Sequence, residues 1–406
     1  MAQVQYFCGL DLGTHTMKAS IIAARDEQNL DLMGVYETRA TGMKEASISD
    51  ISELSDCIQR TLQGVMHKTG IKVHAVQLGV SGSYLTTRRS SAIIPLIDSG
   101  TKVISKFDLR KVDHQAKLLG VNLDEEIIHD FPQWYKVDDI NTSINPTGLI
   151  GRKIESSLLL LTANSVRMRN LTKAVHQAGF EVTSVAFSGY AASDVAIEAA
   201  DKASGCALVD IGANITSVAF FKNGIVGDIQ FIPWGGNLVT QSIAERLSLT
   251  LELAEEIKKT HAVASKTDPK DITGEILVKR DKGYIPIRRQ SVVEAVNWEI
   301  ENFLTHLETV VKGSHLYHHL NKGLVMVGGG ALLPGVLERI EERVNTTVRM
   351  GLSTPGLQHS AVYAASIGLG RMHYLKKKQD AIGFKTPLSL KDKIINSVRE
   401  LCQEYF

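Results

Sequence analysis

An internal repeat is the feature that most constrains how this chain can fold. Residues 9–21 read GLDLGTHTMKASI, and residues 205–224, GCALVDIGANITSVAFFKNG, reproduce the same pattern. The matched pairs are Asp11 with Asp210, Gly13 with Gly212, and Ala19 with Val218. Each copy predicts two strands joined by a turn of small residues, and a repeat of this kind predicts a fold built from two similar halves.

The rest of the chain alternates strand-like apolar runs with amphipathic helical segments. A helical pattern over residues 51–65, for example, is followed by the strand-like run VHAVQLGV at 73–80. Such alternation is typical of α/β proteins with helix-covered sheets. At 406 residues the chain is also long enough for two or more domains.

Composition excludes several classes of protein. With 45 basic and 44 acidic residues the net charge is +1, so we expect no nucleic-acid partner. The four cysteines have no metal-ligand spacing, which predicts free thiols in a reducing cytoplasm. We expect no signal peptide and no transmembrane helix, because no apolar run reaches about 18 residues. A surface anchor remains compatible with these absences.

The repeated hairpin has a chemistry that suits phosphate. Its Asp-x-Gly turn presents backbone N–H groups, and glycine lets a phosphate oxygen approach the backbone closely. Thr14, Thr16 and Lys18 add donors. Two facing hairpins can clamp a polyphosphate, with Asp11 and Asp210 sharing one Mg²⁺ through water. A single Asp-x-Gly turn is commonly only a turn, so the prediction depends on its repetition.

A third motif, GLVMVGGGALLPGVLERI, predicts a strand, a glycine turn at residues 328–330, and a helix that opens near Pro334. Small residues at such a turn let a base or ribose lie against the backbone. A plain strand-to-helix connection is the alternative.

The three motifs in this order resemble the phosphate-1, phosphate-2 and adenosine motifs of the actin/Hsp70/sugar-kinase superfamily. Within it the chain most resembles the FtsA family of actin-like bacterial cell-division proteins. IIHDFPQWYKVDD and NPTGLIGRKIE resemble the extra subdomain of that family, and IPWGGNLVTQSIAERLSLTLELAEEIK is a further match. The resemblance covers essentially the whole chain and implies an actin-like α/β fold of two duplicated domains around a nucleotide cleft.

The resemblance also implies a division into subdomains. It assigns residues 1–84 and 163–200 to subdomain 1A, 85–162 to an inserted subdomain 1C, 201–239 to 2A, 240–300 to 2B, 301–371 to 2A and the return to 1A, 372–390 to a linker, and 391–406 to an amphipathic membrane-targeting helix.

Site residues follow from the resemblance, position by position. Mg²⁺-ATP would meet a first phosphate loop of Gly13, Thr14, His15, Thr16 and Lys18, and a second of Gly212, Ala213, Asn214, Gly235 and Gly236. Adenosine would meet Glu255, Lys258, Gly328, Gly329, Gly330 and Leu333, and Asp11 and Asp210 would hold the metal through water. His15 is equally compatible with a bystander role, and Glu255 and Lys258 with an exposed helical face.

Two departures from the superfamily pattern predict slow or absent hydrolysis. The second loop usually reads DxGGGTT, whereas this chain has Ala213, Asn214 and Ile215. Ser188 stands where the filament-forming relative MreB carries a glutamate that positions the attacking water. Without that group, the metal and the phosphate clamp remain but the nucleophile is not oriented.

The last segment, KDKIINSVRELCQEYF, has the spacing of a one-faced helix. Its apolar face consists of Ile394, Ile395, Val398, Leu401, Cys402, Tyr405 and Phe406. A core helix is the alternative, but a stretch with proline and glycine at 380–390 separates the segment from the body. Lys376, Lys377 and Lys378 can add attraction to an anionic membrane.

The family resemblance implies a function. It predicts an ATP-binding protein that polymerises head to tail through the first insertion, subdomain 1C. This protein would tether the ring of the tubulin-like FtsZ to the inner face of the cytoplasmic membrane at the septum. It would also help to recruit other divisome proteins. The C-terminal tail of FtsZ would bind the second insertion, subdomain 2B at residues 240–300, with Arg288 and Arg289 as candidates for contact with that acidic tail. The alternatives are a PilM-like pilus-assembly protein, against which the amphipathic tail argues, and a small-molecule kinase, for which the sequence offers no convincing catalytic aspartate in the cleft.

Overall fold

A computed structural model describes residues 4–25, 30–44, 47–97, 100–264, 266–267, 272–280, 283–352 and 354–381. The strands are β1 (Gln5–Leu12), β2 (Thr16–Ala24), β3 (Leu30–Arg39), β4 (Met43–Lys44), β5 (Ser47–Ile48), β6 (Ala75–Val80), β7 (Leu85–Pro95), β8 (Lys102–Val103), β9 (Glu125–Val137), β10 (Asn141–Ser143), β11 (Ile150–Gly151), β12 (Lys153–Asn164), β13 (Glu181–Phe187), β14 (Cys206–Ile211), β15 (Thr216–Lys222), β16 (Ile225–Ile232), β17 (Glu275–Arg280), β18 (Gly283–Arg288), β19 (Leu324–Val327) and β20 (Val348–Met350). The helices are α1 (Ile51–Thr69), α2 (Lys106–Gly120), α3 (Ser165–Gln177), α4 (Ser188–Ala196), α5 (Ala199–Ser204), α6 (Gly236–Leu247), α7 (Leu251–His261), α8 (Arg289–Gly313), α9 (Val336–Val344) and α10 (Ala364–Ala381).

Two sheets of the same topology form the frame. The first has the strand order β13-β6-β1-β2-β3 and the second the order β16-β15-β14-β19-β20. In the first, β1 pairs with β2 as an antiparallel hairpin and with β6 in parallel. In the second, β14 pairs with β15 and β19 in the same two ways. The predicted duplication is therefore confirmed, and the two sheets define a first half and a second half.

Two large apolar clusters cover the sheets, and the first of them continues from the first half onto one face of the second sheet, at Leu208, Ala219 and Val325. In the first half α1 packs Leu54, Ile58, Leu62 and Val65 against the sheet, at the three- and four-residue spacing of one helical face. Helix α1 begins after Asp50, whose carboxylate accepts hydrogen bonds from the first-turn N–H groups. In the second half α6, α8 and α9 cover the sheet.

The first insertion forms a small α+β unit, which we call the inserted subdomain, residues 85–162. Its antiparallel sheet has the order β10-β9-β12-β7, and α2 packs against it around a separate apolar core. Its strands run from β7 to β12, and Pro132 lies in β9. In the second insertion, residues 240–300, α7 is a charged helix, and β17 and β18 form an antiparallel hairpin.

The chain crosses between the halves after α4 and returns before α10, and these two helices pack closely. A Cβ added at Gly368 of α10 would lie 1.9 Å from the carbonyl oxygen of Ala191 in α4. Against β1, a Cβ at Gly9 would lie 2.1 Å from the carbonyl oxygen of Ser366. Small residues therefore set the separation of both contacts.

Of the predictions for the C-terminal segment, the start of the linker is wrong and the anchor helix is not tested. The predicted linker at 372–390 starts too early, because α10 continues to Ala381. It does so because His373 and Tyr374 pack edge-on against Phe7 of β1. Residues 382–406, with the predicted anchor helix, lie outside the described residues. In the described part of the chain, no helix has the length and apolar character needed to cross a membrane.

The α4–α10 contact generates a stability prediction. Gly368→Ala should lower the free energy of unfolding by about 1–3 kcal/mol, because the added methyl forces two packed helices apart. Urea unfolding measures this change. Gly313→Ala is the matched control, since its added Cβ meets nothing within 4 Å and should leave stability unchanged or slightly higher. Equal stability of the two variants would show that the helices can separate without cost.

Candidate functional site

A cleft of about 520 Å³ lies between the halves. Both hairpin turns, the glycine turn after β19 and the start of α6 line it. The predicted site residues found in its wall are Asp11, Gly13, Thr14, His15, Thr16, Lys18, Asp210, Gly212, Ala213, Asn214, Gly236, Glu255, Lys258, Gly328, Gly329, Gly330 and Leu333. The volume falls in the range of about 300–1,000 Å³ that small-molecule sites occupy.

The two hairpin turns require their glycines. A Cβ at Gly13 would lie 2.3 Å from the carbonyl oxygen of Thr16, and one at Gly212 would lie 2.9 Å from that of Ile215. The Gly212 N–H donates to the same Ile215 oxygen at 3.0 Å. The two turns are therefore alike in backbone geometry as well as in sequence.

Asp11 and Asp210 are close enough to influence each other. Burial, and then the charge of Asp11, raise the pKa of Asp210 to about 6, while Lys18 acts in the opposite direction. Paired carboxylates repel each other, and one of them takes up a proton unless a cation lies between them. Such a pair fits Mg²⁺, which is usually held by one or two carboxylates together with waters and phosphate oxygens. Among the described residues, no group of three or more acidic, histidine or cysteine side chains is placed to hold a metal ion.

Ser188 lies in the cleft at the first position of α4. Its side chain is buried, and its hydroxyl donates to the Asp11 carboxylate at 2.7 Å. A serine engaged in this way orients Asp11 and has no basic oxygen with which to position a water molecule. Ser188 thus lines the cleft beside Asp11.

The second loop is attached to α6 through backbone groups. The N–H groups of Gly236 and Asn237 donate to the carbonyl oxygens of Gly212 and Ala213, at 3.0 and 2.8 Å. A Cβ at Gly235 would lie 2.4 Å from the Ala213 oxygen. Gly235 therefore packs against the second loop and does not line the cleft. The N–H groups of Gly236 and Asn237 already donate to acceptors within the protein.

Helix α7 contributes an ion pair to the cleft wall. The Lys258 ammonium lies 2.6 Å from the Glu255 carboxylate and donates to the Thr240 hydroxyl at 2.8 Å. Burial alone would raise the pKa of Glu255, but hydrogen bonds from Lys258 and Thr240 outweigh it and lower this pKa. Both ion-pair side chains are 17% exposed, so the exposed-face alternative is wrong.

His15 reaches across the cleft toward α7. Its Nε2 lies 3.8 Å from the Glu255 carboxylate. Burial lowers the pKa of His15 although Glu255 acts in the opposite direction, so the imidazole is neutral at pH 7. His15 lines the cleft opposite Glu255, at a distance beyond hydrogen-bonding range, so both its predicted role and the bystander alternative stay open.

The glycines of the third motif have two different roles. A Cβ at Gly328, whose φ is +86°, would lie 2.5 Å from an Asp210 carboxylate oxygen, and one at Gly330 would lie 2.2 Å from the Ile211 side chain. These two glycines let the turn pack on β14. A Cβ at Gly329 would meet nothing within 4 Å, so only this position leaves open space toward a ligand.

Sequence reasoning missed several residues in the cleft wall. They include Glu37, Ser81, Trp234, Asn237, Lys259 and His359. Asn237 and Lys259 adjoin predicted residues, and the Asn237 amide donates to the Asn214 side chain at 2.6 Å. Glu37 is placed by the pairing of β3 with β2, opposite Lys18, and carries no signal in the sequence.

Two family models match the chain, one over the second half and one over the first insertion. One described as "Cell division protein FtsA" matches residues 207–368, and one described as "SHS2 domain inserted in FTSA" matches residues 82–162. The second match nearly coincides with the inserted subdomain.

Curated relatives cover almost the whole chain. The cell division protein FtsA of Escherichia coli is 26% identical over 390 residues, covering 91% of this chain and 90% of the relative. That of Streptococcus pneumoniae is 27% identical over 365 residues, covering 88% and 79%.

Solved structures share the fold at low identity. The PilM-PilN type IV pilus biogenesis complex matches with a TM-score of 0.64 and 13% identity, over 90% of this chain and 98% of the matched chain. An MreB protein of Spiroplasma citri bound to ADP matches with a TM-score of 0.55 and 12% identity, over 93% and 98%.

Duplicated halves that meet at a cleft between paired Asp-x-Gly hairpins define an actin-like protein. Within that class, an inserted α+β unit follows β6 of the first half. The chain belongs to the FtsA family of cell-division proteins.

The raised pKa of Asp210 generates a pH-dependent prediction for the protein without nucleotide or metal. Since the folded protein binds this proton more tightly than the unfolded chain, the free energy of unfolding should fall as the pH rises from 3.8 through about 6. Asp210→Asn removes this penalty and should stabilise the empty protein by on the order of 1–3 kcal/mol at pH 7, with a smaller gain at pH 5.

Urea unfolding at the two pH values measures the gain. Asp56→Asn, on the exposed face of α1, is the matched control and should change stability little. A stabilisation that does not shrink with falling pH would contradict the electrostatic explanation.

Proposed function

We propose that the chain binds ATP together with Mg²⁺ in this cleft. The observation that carries the proposal is the approach of Asp11 and Asp210, with Lys18 nearby, between two turns that only glycine can form. The turns and Lys18 would bind phosphate oxygens, and the two carboxylates would orient the waters of a magnesium ion. Lys258, Glu255 and the open side of Gly329 would surround the nucleoside.

Hydrolysis is proposed to be slow. The Ser188 hydroxyl is already committed to Asp11, and the second loop carries side chains where the superfamily has glycines. The cleft therefore supports binding and orientation of the phosphates better than activation of a water molecule. ATP would then act mainly by changing the conformation of the protein.

The proposed role in division is that of a polymerising adaptor between FtsZ and the membrane. The inserted subdomain supports a contact with a neighbouring subunit, because it exposes large apolar side chains such as Phe107, Leu119 and Leu123. A contact of this head-to-tail kind that does not close produces a filament. The family matches favour this role over the PilM-like alternative.

FtsZ is proposed to bind the second insertion. Arg288 and Arg289 are exposed where β18 meets α8, beside the exposed Leu277 and Tyr284 of the hairpin. Cationic and apolar side chains together suit an acidic peptide with apolar residues. Other divisome proteins and a septal location on the cytoplasmic membrane belong to the same proposal.

The membrane anchor is proposed to be residues 391–406, on the sequence pattern alone. The upstream lysines contribute less than their number indicates, because Lys376 donates to the Thr183 carbonyl oxygen and Lys377 lies 5.6 Å from the centre of the Phe7 ring. Attachment would therefore depend on the apolar face of the helix, and the avidity of many subunits in a filament would increase the overall affinity for the membrane.

Calorimetric titration tests the nucleotide proposal. The full chain should bind Mg²⁺-ATP at about one molecule per subunit, and Asp210→Ala should weaken binding at least about tenfold, or about 1.4 kcal/mol. Phosphate release should stay well below the roughly 1–100 per second of kinases. Asp56→Ala is the control, and equal affinity of Asp210→Ala and wild type would refute the assignment.

Flotation with vesicles of phosphatidylglycerol and phosphatidylethanolamine tests the adaptor proposal. Removal of residues 391–406 should release the protein from lipid while ATP binding persists, and Phe406→Glu should weaken attachment, because a buried apolar contact is lost. Leu251→Glu, an exposed change on α7, is the control and should float normally.

Normal flotation of the truncated chain would show that the anchor lies elsewhere. Electron microscopy of the same samples with ATP should show filaments, and their absence on lipid would contradict polymerisation. Added FtsZ should float with wild type and less with Arg288→Glu/Arg289→Glu; unchanged FtsZ recruitment would exclude this site.

A further inference from the structure

The inserted subdomain is hydrogen-bonded to the second half of the molecule. Arg89 of β7 donates to the carbonyl oxygen of Gly227 at 3.0 Å, and Gln133 of β9 donates to that of Val226 at 2.8 Å. Both acceptors belong to β16, the edge strand of the second sheet. The inserted subdomain therefore contacts a domain from which it is separated in sequence.

The same strand β9 also contacts the first half, next to the cleft. His129 is half-buried, and its Nε2 accepts a hydrogen bond from the Phe187 N–H at 2.9 Å. Its ring lies edge-on to Tyr190 of α4, with centroids 5.1 Å apart. Phe187 immediately precedes Ser188, whose hydroxyl holds Asp11. One strand of the inserted subdomain thus bonds to both sides of the cleft.

Any closure of the cleft moves the second sheet relative to α4, since the two halves lie on either side of it. The Phe187 and Phe231 rings, 5.6 Å apart, mark a contact between the end of β13, just before α4, and β16. Because the inserted subdomain is hydrogen-bonded to both halves, its contacts with one of the halves must change when the halves move. Its bonds to β16 end on side chains, which can exchange partners more easily than paired strands can.

We propose that the inserted subdomain is coupled to the cleft through Arg89, Gln133 and His129. Nucleotide in the cleft changes how the inserted subdomain sits on β16. Conversely, a second copy of this chain docked on the inserted subdomain changes nucleotide affinity by the same factor as nucleotide changes docking. The proposal depends on nucleotide binding, and it assigns the regulation of that site. The alternative is a static brace whose bonds are the same with and without nucleotide.

Amide hydrogen exchange of the full chain, with and without Mg²⁺-ATP, distinguishes the coupled subdomain from a static brace. In wild type, ATP should change exchange in the two hairpin turns and also, by about fivefold or more, in β7, β9 and β16. In Arg89→Ala/Gln133→Ala the change in the turns should remain, while the change in β7 and β9 is lost and ATP affinity shifts at least about threefold. Gln115→Ala/Arg152→Ala, at two exposed positions of the same subdomain, is the matched control and should behave as wild type.

Three outcomes overturn the proposal. Changes in the turns without changes in β7, β9 and β16 would leave nucleotide binding intact and establish a static brace. No change anywhere, turns included, would remove the proposed function and the coupling together. Changes that persist in the double variant would show that the coupling does not use Arg89 and Gln133. If the double variant does not fold, Arg89→Ala and Gln133→Ala singly should each lose part of the response, and full retention in both contradicts the assignment.

Discussion

The approach of two carboxylates across the cleft is the constraint on which the structure depends. Asp11 and Asp210 end equivalent strands of two similar sheets, so the duplication itself brings like charges together. The Ser188 hydroxyl stabilises the Asp11 carboxylate by a hydrogen bond, and the raised pKa of Asp210 lets this residue take up a proton more readily, which reduces the repulsion. A metal ion with phosphate would remove the remaining repulsion. With the proposed nucleotide and metal bound, the cleft would be more stable than when it is empty, and the ligand would also act as a structural element.

The surroundings of these carboxylates show how little of the site is free for a ligand. Positions 328 and 330 require glycine because residues at the end of β14 pack against them, and position 235 requires glycine because the second loop packs against it. The first N–H groups of α6 bind that loop. What remains open to a ligand is a set of side chains, Lys18 and the Asn214 amide N–H groups among them, together with the space at Gly329. Backbone geometry builds the cleft, and side chains determine much of what it recognises.

Sequence reasoning predicted the parts of this molecule that repeat or alternate. The two hairpins, the third glycine motif and the inserted subdomain were all recognisable, because each has a local pattern of apolar and small residues. Glu37 was not predictable, because strand pairing alone brings it opposite Lys18. Nor was the contact of His15 with Glu255, which joins residues from different halves. The end of the body was misplaced because residues 372–381 look polar and loose in sequence but pack on β1 through His373 and Tyr374.

The position of α10 has a consequence for biosynthesis. β1 leaves the ribosome first, yet the helix that covers its glycine-containing face lies at residues 364–381, and the Ser20 hydroxyl donates to the carbonyl oxygen of Ser366. The strands of the second sheet all lie between β14 and β20, so that half is continuous in the chain. During translation the second half can complete its sheet while the first still exposes apolar surface, a state in which nascent chains are prone to aggregate. The half that is made first is the half that is finished last.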